Sequence, residues 1–150
     1  MKIIAFEERY LNDFKLLNLE WLEKHGLTED HDLEVLNNPQ EIIINTGGFI
    51  FLAKEGETIA GTAGLAKMHD SEYELIKMAV APAFRGKGIG KMLIEQCLQK
   101  AKELNVAKVI LYSSSKLKEA IPLYEKYGFK HIPVVDSPFV TADVKMELSL

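Results

Sequence analysis

The sequence predicts an α/β domain built on a mixed sheet. Three observations lead there. The apolar period switches between that of a strand and that of a helix several times along the chain. Strand-like runs occur in adjacent pairs at 49–66 and again at the end of the chain, as hairpins require. Between them a strand, a glycine-rich turn, a long amphipathic helix and another strand follow in order. The 150 residues suit one domain spanning 1–150.

Taken in order, KIIAF at 2–6 reads as a short strand. Residues 10–24 read as a helix carrying Leu11, Phe14, Leu17, Trp21 and Leu22, and Gly26 stops it. Thr28 is expected to cap a second helix, with Glu29, Asp30 and Asp32 in its first turn and an end near Asn37-Asn38. Pro39 opens a further short helical turn, closed by Gly47-Gly48. Phe49–Ala53 and Thr58–Ala66 are strands around the turn Glu55-Gly56-Glu57, and 67–72 is expected to be a polar connection. YELIKMAV at 73–80 is a strong strand, ended by Pro82. Apolar or small residues at 90, 93, 94, 97, 101 and 104 form one face of a helix. A strand at 106–112, a helix ended by Gly128, and strands at 129–134 and 144–148 complete the chain. Pro122 is costly inside a helix, so that last helix is expected to start close to 118 or to kink.

Composition narrows the function classes. The formal net charge of −4 argues against nucleic acid as the main partner, because a phosphate backbone demands a basic face. The lone Cys97 makes no internal disulfide, and the scattered histidines show no metal-ligand spacing, so no metal is expected. Charges come too early for a signal peptide, and no apolar run approaches the ~18 residues of a membrane span. A cytoplasmic, reduced protein with no membrane partner is expected.

The segment RGKGIG, Arg85 to Gly90, carries the first chemistry. It joins a strand to a helix whose first amides have no partner and carry partial positive charge. Gly86, Gly88 and Gly90 let the backbone approach a ligand and take positive φ. Arg85 and Lys87 add cationic donors, and the whole fits a diphosphate. A P-loop is excluded, because Met92 follows Lys91 where Ser or Thr is needed. A dinucleotide fingerprint is excluded too: the glycines read GxGxG, and the next strand ends in Ser113-Ser114-Ser115 without an acid.

These residues resemble the GNAT N-acetyltransferases. The R/Q-x-x-G-x-G/A pattern is met by Arg85, Gly88 and Gly90, within KMAVAPAFRGKGIGKMLIEQCLQKAKEL. A second pattern is met by AIPLYEKYGF at 120–129. The resemblance runs from about 48 to 150, and the first third fits only in layout. It implies the GNAT acyl-CoA N-acyltransferase fold: a mixed, mostly antiparallel central sheet, splayed between the fourth and fifth strands and flanked by helices. It implies acetyl-CoA as donor and an amine as acceptor. Backbone groups of Met78, Ala79 and Val80 would receive the pantetheine arm, and Arg85, Gly86, Lys87, Gly88, Ile89, Gly90 and Lys91 the pyrophosphate.

Two catalytic roles follow from the resemblance. Tyr124 matches the tyrosine that protonates the departing thiolate, although its helical spacing also suits core packing. Glu74 stands where some members carry a base, with Glu72 two residues back on the same face; a water chain is the alternative. Leu117 departs from the asparagine many relatives have, and serine hydroxyls or backbone could replace that contact. Cys97 reads as packing and Trp21 as core. Asp30, Asp32 and Asp143 read as surface charge, with recognition of a cationic substrate as the alternative. His69 lies in the loop before the central strand. The acceptor is expected to be a small-molecule primary amine, set by residues 10–48, the loop 67–72 and the last hairpin. Acetylation of a protein lysine or N-terminus, and a non-catalytic acyl-CoA sensor, remain open. Terminal strands in such folds pair between subunits, which makes a homodimer a further expectation.

Overall fold

The computed structural model describes all residues except 136 and 138. One seven-stranded sheet runs through it in the order β1-β2-β3-β4-β5-β7-β6. The strands are β1 (Lys2–Ala5), β2 (Phe49–Glu55), β3 (Thr58–His69), β4 (Glu72–Val80), β5 (Lys108–Ser113), β6 (Lys130–Ile132) and β7 (Val144–Ser149). The helices are α1 (Leu11–Lys24), α2 (Asp30–Asn37), α3 (Ile89–Glu103) and α4 (Ala120–Lys126). Among the described residues only β4 and β5 run parallel, because α3 carries the chain back across the sheet between them; every other pairing is antiparallel. The expected splay is present. β4 and β5 pair only where Glu72–Glu74 face Lys108–Ile110, and beyond that point they part.

Strand alternation sorts side chains into two apolar layers. In β2, Phe51 and Ala53 join the layer under α3 and α4, with Leu93, Ile94, Cys97 and Leu111. Ile50 and Leu52 join the layer under α1 and α2, with Phe14, Val35, Leu36 and Ile43. Among the described residues no helix is long and apolar enough to cross a membrane.

Three local expectations need correction. The cap of α2 is Glu29, not Thr28; Glu29 is the extended residue, and its amide donates to the Asp32 carboxylate at 3.0 Å. Residues 67–72 are no loop. β3 and β4 continue through them to a tight turn at Asp70-Ser71, and the polarity reflects a hairpin tip that outruns the core. β6 stops at Ile132, since Pro133 has no amide to donate. As Pro122 led one to expect, α4 starts near 118, at Ala120, which puts Pro122 in its first turn, where a missing amide hydrogen costs nothing.

Candidate active site

The splay opens a cavity of about 330 Å³ through the middle of the sheet. Its walls come from α1, β4, the 85–90 turn, the end of β5, the start of α4 and residues 139–142.

β4 is irregular where it borders this cavity. Thr62 pairs with Ala79 and Gly64 with Ile76, so Ala63 alone opposes both Lys77 and Met78. This is a β-bulge, and Lys77 carries its positive φ of 51°. The bulge shifts the strand's phase. Tyr73 and Leu75 face α3, and the next residues on that side are Met78 and Val80 rather than 77 and 79. Past the bulge, Ala79 is in register with Thr62, and the Ala81 amide bonds the Ala60 carbonyl at 2.8 Å. By alternation Met78 and Val80 turn their backbone groups toward the gap, while Ala79 keeps its own on β3.

The 85–90 turn follows a short helical turn at Pro82–Phe84. Gly86 and Gly88 have φ of 78° and 80°, and nothing lies within 4 Å of where a Cβ would stand on either. The torsion, not crowding, demands glycine there. The first amide to find a helical acceptor is Met92, bonded to the Gly88 carbonyl at 3.2 Å. Among the described residues no carbonyl takes the amide hydrogens of Gly86 to Lys91. Six unpaired donors thus lead into a 15-residue helix.

The cations divide. The Arg85 guanidinium folds back onto α1: Nε donates to the Val80 carbonyl at 3.1 Å, and Nη2 bonds Glu20 at 2.6 Å above the Trp21 ring. Nε and Nη2 are thus engaged within the protein, while the side chain still lines the cavity. Lys87 lies 5.4 Å from the Phe84 ring. Lys91 sits against Lys126, and the repulsion between the two ammonium groups holds Lys126 below the usual lysine range. Lys126 drew no attention in the sequence, because its partner is thirty-five positions away.

Tyr124 is placed by the end of α4. The Gly128 amide bonds the Glu125 carbonyl at 3.0 Å and the Phe129 amide bonds the Tyr124 carbonyl at 3.2 Å, a Schellman closure around Gly128 with φ of 95°. The accompanying apolar contact is Tyr124 on Phe129, ring to ring at 6.0 Å. This accounts physically for the spacing of Tyr, Gly and Phe in LYEKYGF. The Tyr124 side chain is buried and lines the cavity, and its hydroxyl has no hydrogen-bond partner among the described residues. Burial pushes its pKa up to about 12, so it holds its proton at neutral pH.

Glu74 enters from β4 and is only 6% exposed. Burial raises its pKa to about 7, against the lowering pull of Lys77 and Lys145. The other acids separate from it. Glu72 is bonded to Lys108 at 3.2 Å, with His69 at 3.9 Å, and neither Glu72 nor His69 lines the cavity. Asp143 holds the amide and hydroxyl of Ser115 at 2.8 and 2.6 Å, and Asp30 is exposed. Asp32 is buried and lines the cavity, paired with the Lys77 ammonium. Trp21 and Leu117 line it as well, and the Ser113 hydroxyl is buried there without a partner among the described residues. Cys97 is fully buried under α3, and burial pushes its thiol up to about 12.

Sequence reasoning missed the Asp32–Lys77 pair and the bulge behind it. A signal existed. Regular alternation would put Lys77 in phase with Tyr73, Leu75 and Ala79, a charge on an apolar face.

A sheet splayed at its one parallel pair, with free amides at one end of the gap and a buried carboxyl and phenol along it, defines an acyltransferase scaffold. The model of the acetyltransferase (GNAT) family matches residues 14–129, and the chain belongs to that family of N-acetyltransferases. It is 36% identical over 117 residues to the N-acetyltransferase YjgM of Escherichia coli, covering 73% of this chain and 70% of YjgM. The crystal structure of a GNAT-family acetyltransferase from Staphylococcus aureus superposes with a TM-score of 0.91 at 24% identity, over 99% of this chain and 98% of that one. PaiA N-acetyltransferase from Thermoplasma acidophilum, solved in complex with coenzyme A, superposes with a TM-score of 0.77 at 17% identity over the full length of both.

Proposed function

We propose that this protein transfers an acetyl group from acetyl-CoA to the primary amine of a small molecule, by direct attack while both are bound. One observation carries the reading. A buried carboxyl with a pKa of about 7 and an unpartnered phenol of about 12 line the same cavity.

The residues present suit coenzyme A. The Gly86–Lys91 amides, with Lys87 and the Lys91–Lys126 pair, would hold the diphosphate; Arg85 instead braces the turn and the Val80 carbonyl. Backbone groups of Met78 and Val80 would meet the pantetheine arm along the gap. Ser113, with its free hydroxyl, offers a polar contact where Leu117 cannot. The donor supplies an activated thioester carbonyl. Anchoring its distant charged end leaves binding energy to position that carbon.

Glu74 takes a proton from the acceptor ammonium, directly or through a water. The freed nitrogen lone pair bonds to the thioester carbon, the bonded nitrogen releases its second proton to solvent, and the C–S bond breaks with its electrons on sulfur. Tyr124 gives its proton to that sulfur and is restored from solvent, and the amide leaves with free coenzyme A thiol. A phenol near 12 keeps its proton until a thiolate forms beside it.

The test is thiol release from acetyl-CoA across a panel of small amines and lysine peptides. Turnover with small amines supports the proposal. Turnover confined to peptides replaces the acceptor class. Coenzyme A binding with no turnover on any amine points to a sensor.

A further inference from the structure

The residue at the centre of the β4 bulge is held from two sides by groups outside the catalytic pair. Lys77 has a φ of 51°, a conformation a lysine keeps only when its surroundings enforce it. Its carbonyl accepts from the Thr62 hydroxyl at 2.8 Å. Thr62 in turn accepts from Asn18 Nδ2 at 3.1 Å, and the same nitrogen donates to the Phe14 carbonyl at 2.9 Å. Both amide hydrogens of Asn18 are therefore used, so the Thr62 hydroxyl hydrogen is directed at Lys77. Thr62 is fully buried and Asn18 is 2% exposed, which leaves no room for water to substitute. At the other end the Lys77 ammonium is paired with Asp32, itself 3% exposed.

We infer that Thr62, acting through Lys77, is a positioning residue for the acyl donor. The inference rests on the reading that the Met78 and Val80 backbone receives the pantetheine arm. The physical link is the phase shift. With the bulge in place, alternation turns the Met78 backbone and the Val80 amide toward the gap, while Arg85 holds the Val80 carbonyl. Without it, β4 pairs regularly with β3, Lys77 falls under α3, and the Met78 backbone turns into the sheet. A relaxed Lys77 gains a common φ but loses the donor surface. Thr62 and Asp32 hold the two ends against that relaxation. Thr62 does not line the cavity and acts only through Lys77.

The experiment is calorimetric binding of coenzyme A to the whole protein, with steady-state kinetics beside it. Thr62→Val keeps the shape and removes the hydrogen bond. It is expected to weaken coenzyme A binding tenfold or more and to raise the acetyl-CoA KM in parallel, with kcat at saturating donor within threefold. Thr62→Ser restores the hydroxyl and is expected to recover affinity to within threefold of wild type. A second route cuts the other anchor: Lys77→Met with Asp32→Leu exchanges the buried pair for apolar residues of similar size, a replacement proteins often tolerate. It too is expected to weaken coenzyme A severalfold. The inference is overturned if either folded variant binds coenzyme A as wild type does, or if Thr62→Ser fails to rescue. A wild-type protein that binds no coenzyme A overturns the reading of the donor site itself, and the inference with it.

Discussion

Glu74 shows how burial sets chemistry at one residue. Its pKa rises from 4.5 to about 7, chiefly by burial. The folded state thus keeps a proton that the unfolded chain releases in that interval. Stability from this group is full below about 4.5, falls as pH rises, and is gone above about 7. At ~1.4 kcal/mol per pKa unit the effect is on the order of 3 kcal/mol. Thermal melts of wild type are therefore expected to lose stability between pH 5 and pH 8 by a component that Glu74→Gln removes. With Glu74 as base, kcat/KM rises with pH through about 7, and that limb disappears in Glu74→Gln. Tyr124 separates stability from catalysis in another way. Its hydroxyl has no partner among the described residues, so Tyr124→Phe strands no buried donor and is expected to leave the melting temperature nearly unchanged. It should lower kcat tenfold or more with little change in coenzyme A affinity; equal losses in both would remove Tyr124 from the role of acid.

At the scale of elements, two glycines with positive φ end or begin helices for different purposes. At Gly88 a methyl meets nothing within 4 Å, so Gly88→Ala carries only the torsional cost of about 1 kcal/mol. At Gly128 a Cβ would come within 3.2 Å of Leu148 Cδ1, at a φ of 95°. Gly128→Ala is therefore expected to lower the melting temperature more than Gly88→Ala. Binding should rank the other way. Gly88 shapes the amide cluster, so Gly88→Ala weakens coenzyme A more than Gly128→Ala does. The same order in both measurements would mean that the 85–90 turn has no special part in binding.

At the scale of the molecule, the cleft is closed from α2. The Glu29 carboxylate accepts from the Val140 and Thr141 amides at 2.9 Å each, and from the Thr141 hydroxyl. Burial opposes its ionisation, but these bonds outweigh it and hold its pKa below the usual glutamate range. The stability this contributes is present above the unfolded pKa and is lost as pH falls through the folded one. Three residues on, Asp32 takes the Glu29 amide and the Lys77 ammonium. One turn of helix thus ties residues 140–141 to the β4 bulge. Glu29→Ala is expected to speed amide hydrogen exchange at Val140 and Thr141. It should raise the acceptor KM more than the coenzyme A dissociation constant. Unchanged exchange at those amides would show that the carboxylate does not hold them.

The sequence by itself determined the class of fold, the order of strands and helices, the glycine-rich turn at 85–90 and the end of α4 at Gly128. Each of these is local: periodicity, glycine at positive φ and helix-end geometry act within a few residues. It did not reveal that Arg85 folds onto Glu20 and Trp21, that Lys126 joins Lys91, or that Asp143 caps Ser115. Those partners lie twenty-eight to sixty-five positions apart, and only packing brings them together. The bulge lies between the two cases. Lys77 out of phase in YELIKMAV signals an irregular strand. Which way the strand yields was decided by Thr62, Asn18 and Asp32, because a buried carbonyl and a buried ammonium must each find a partner.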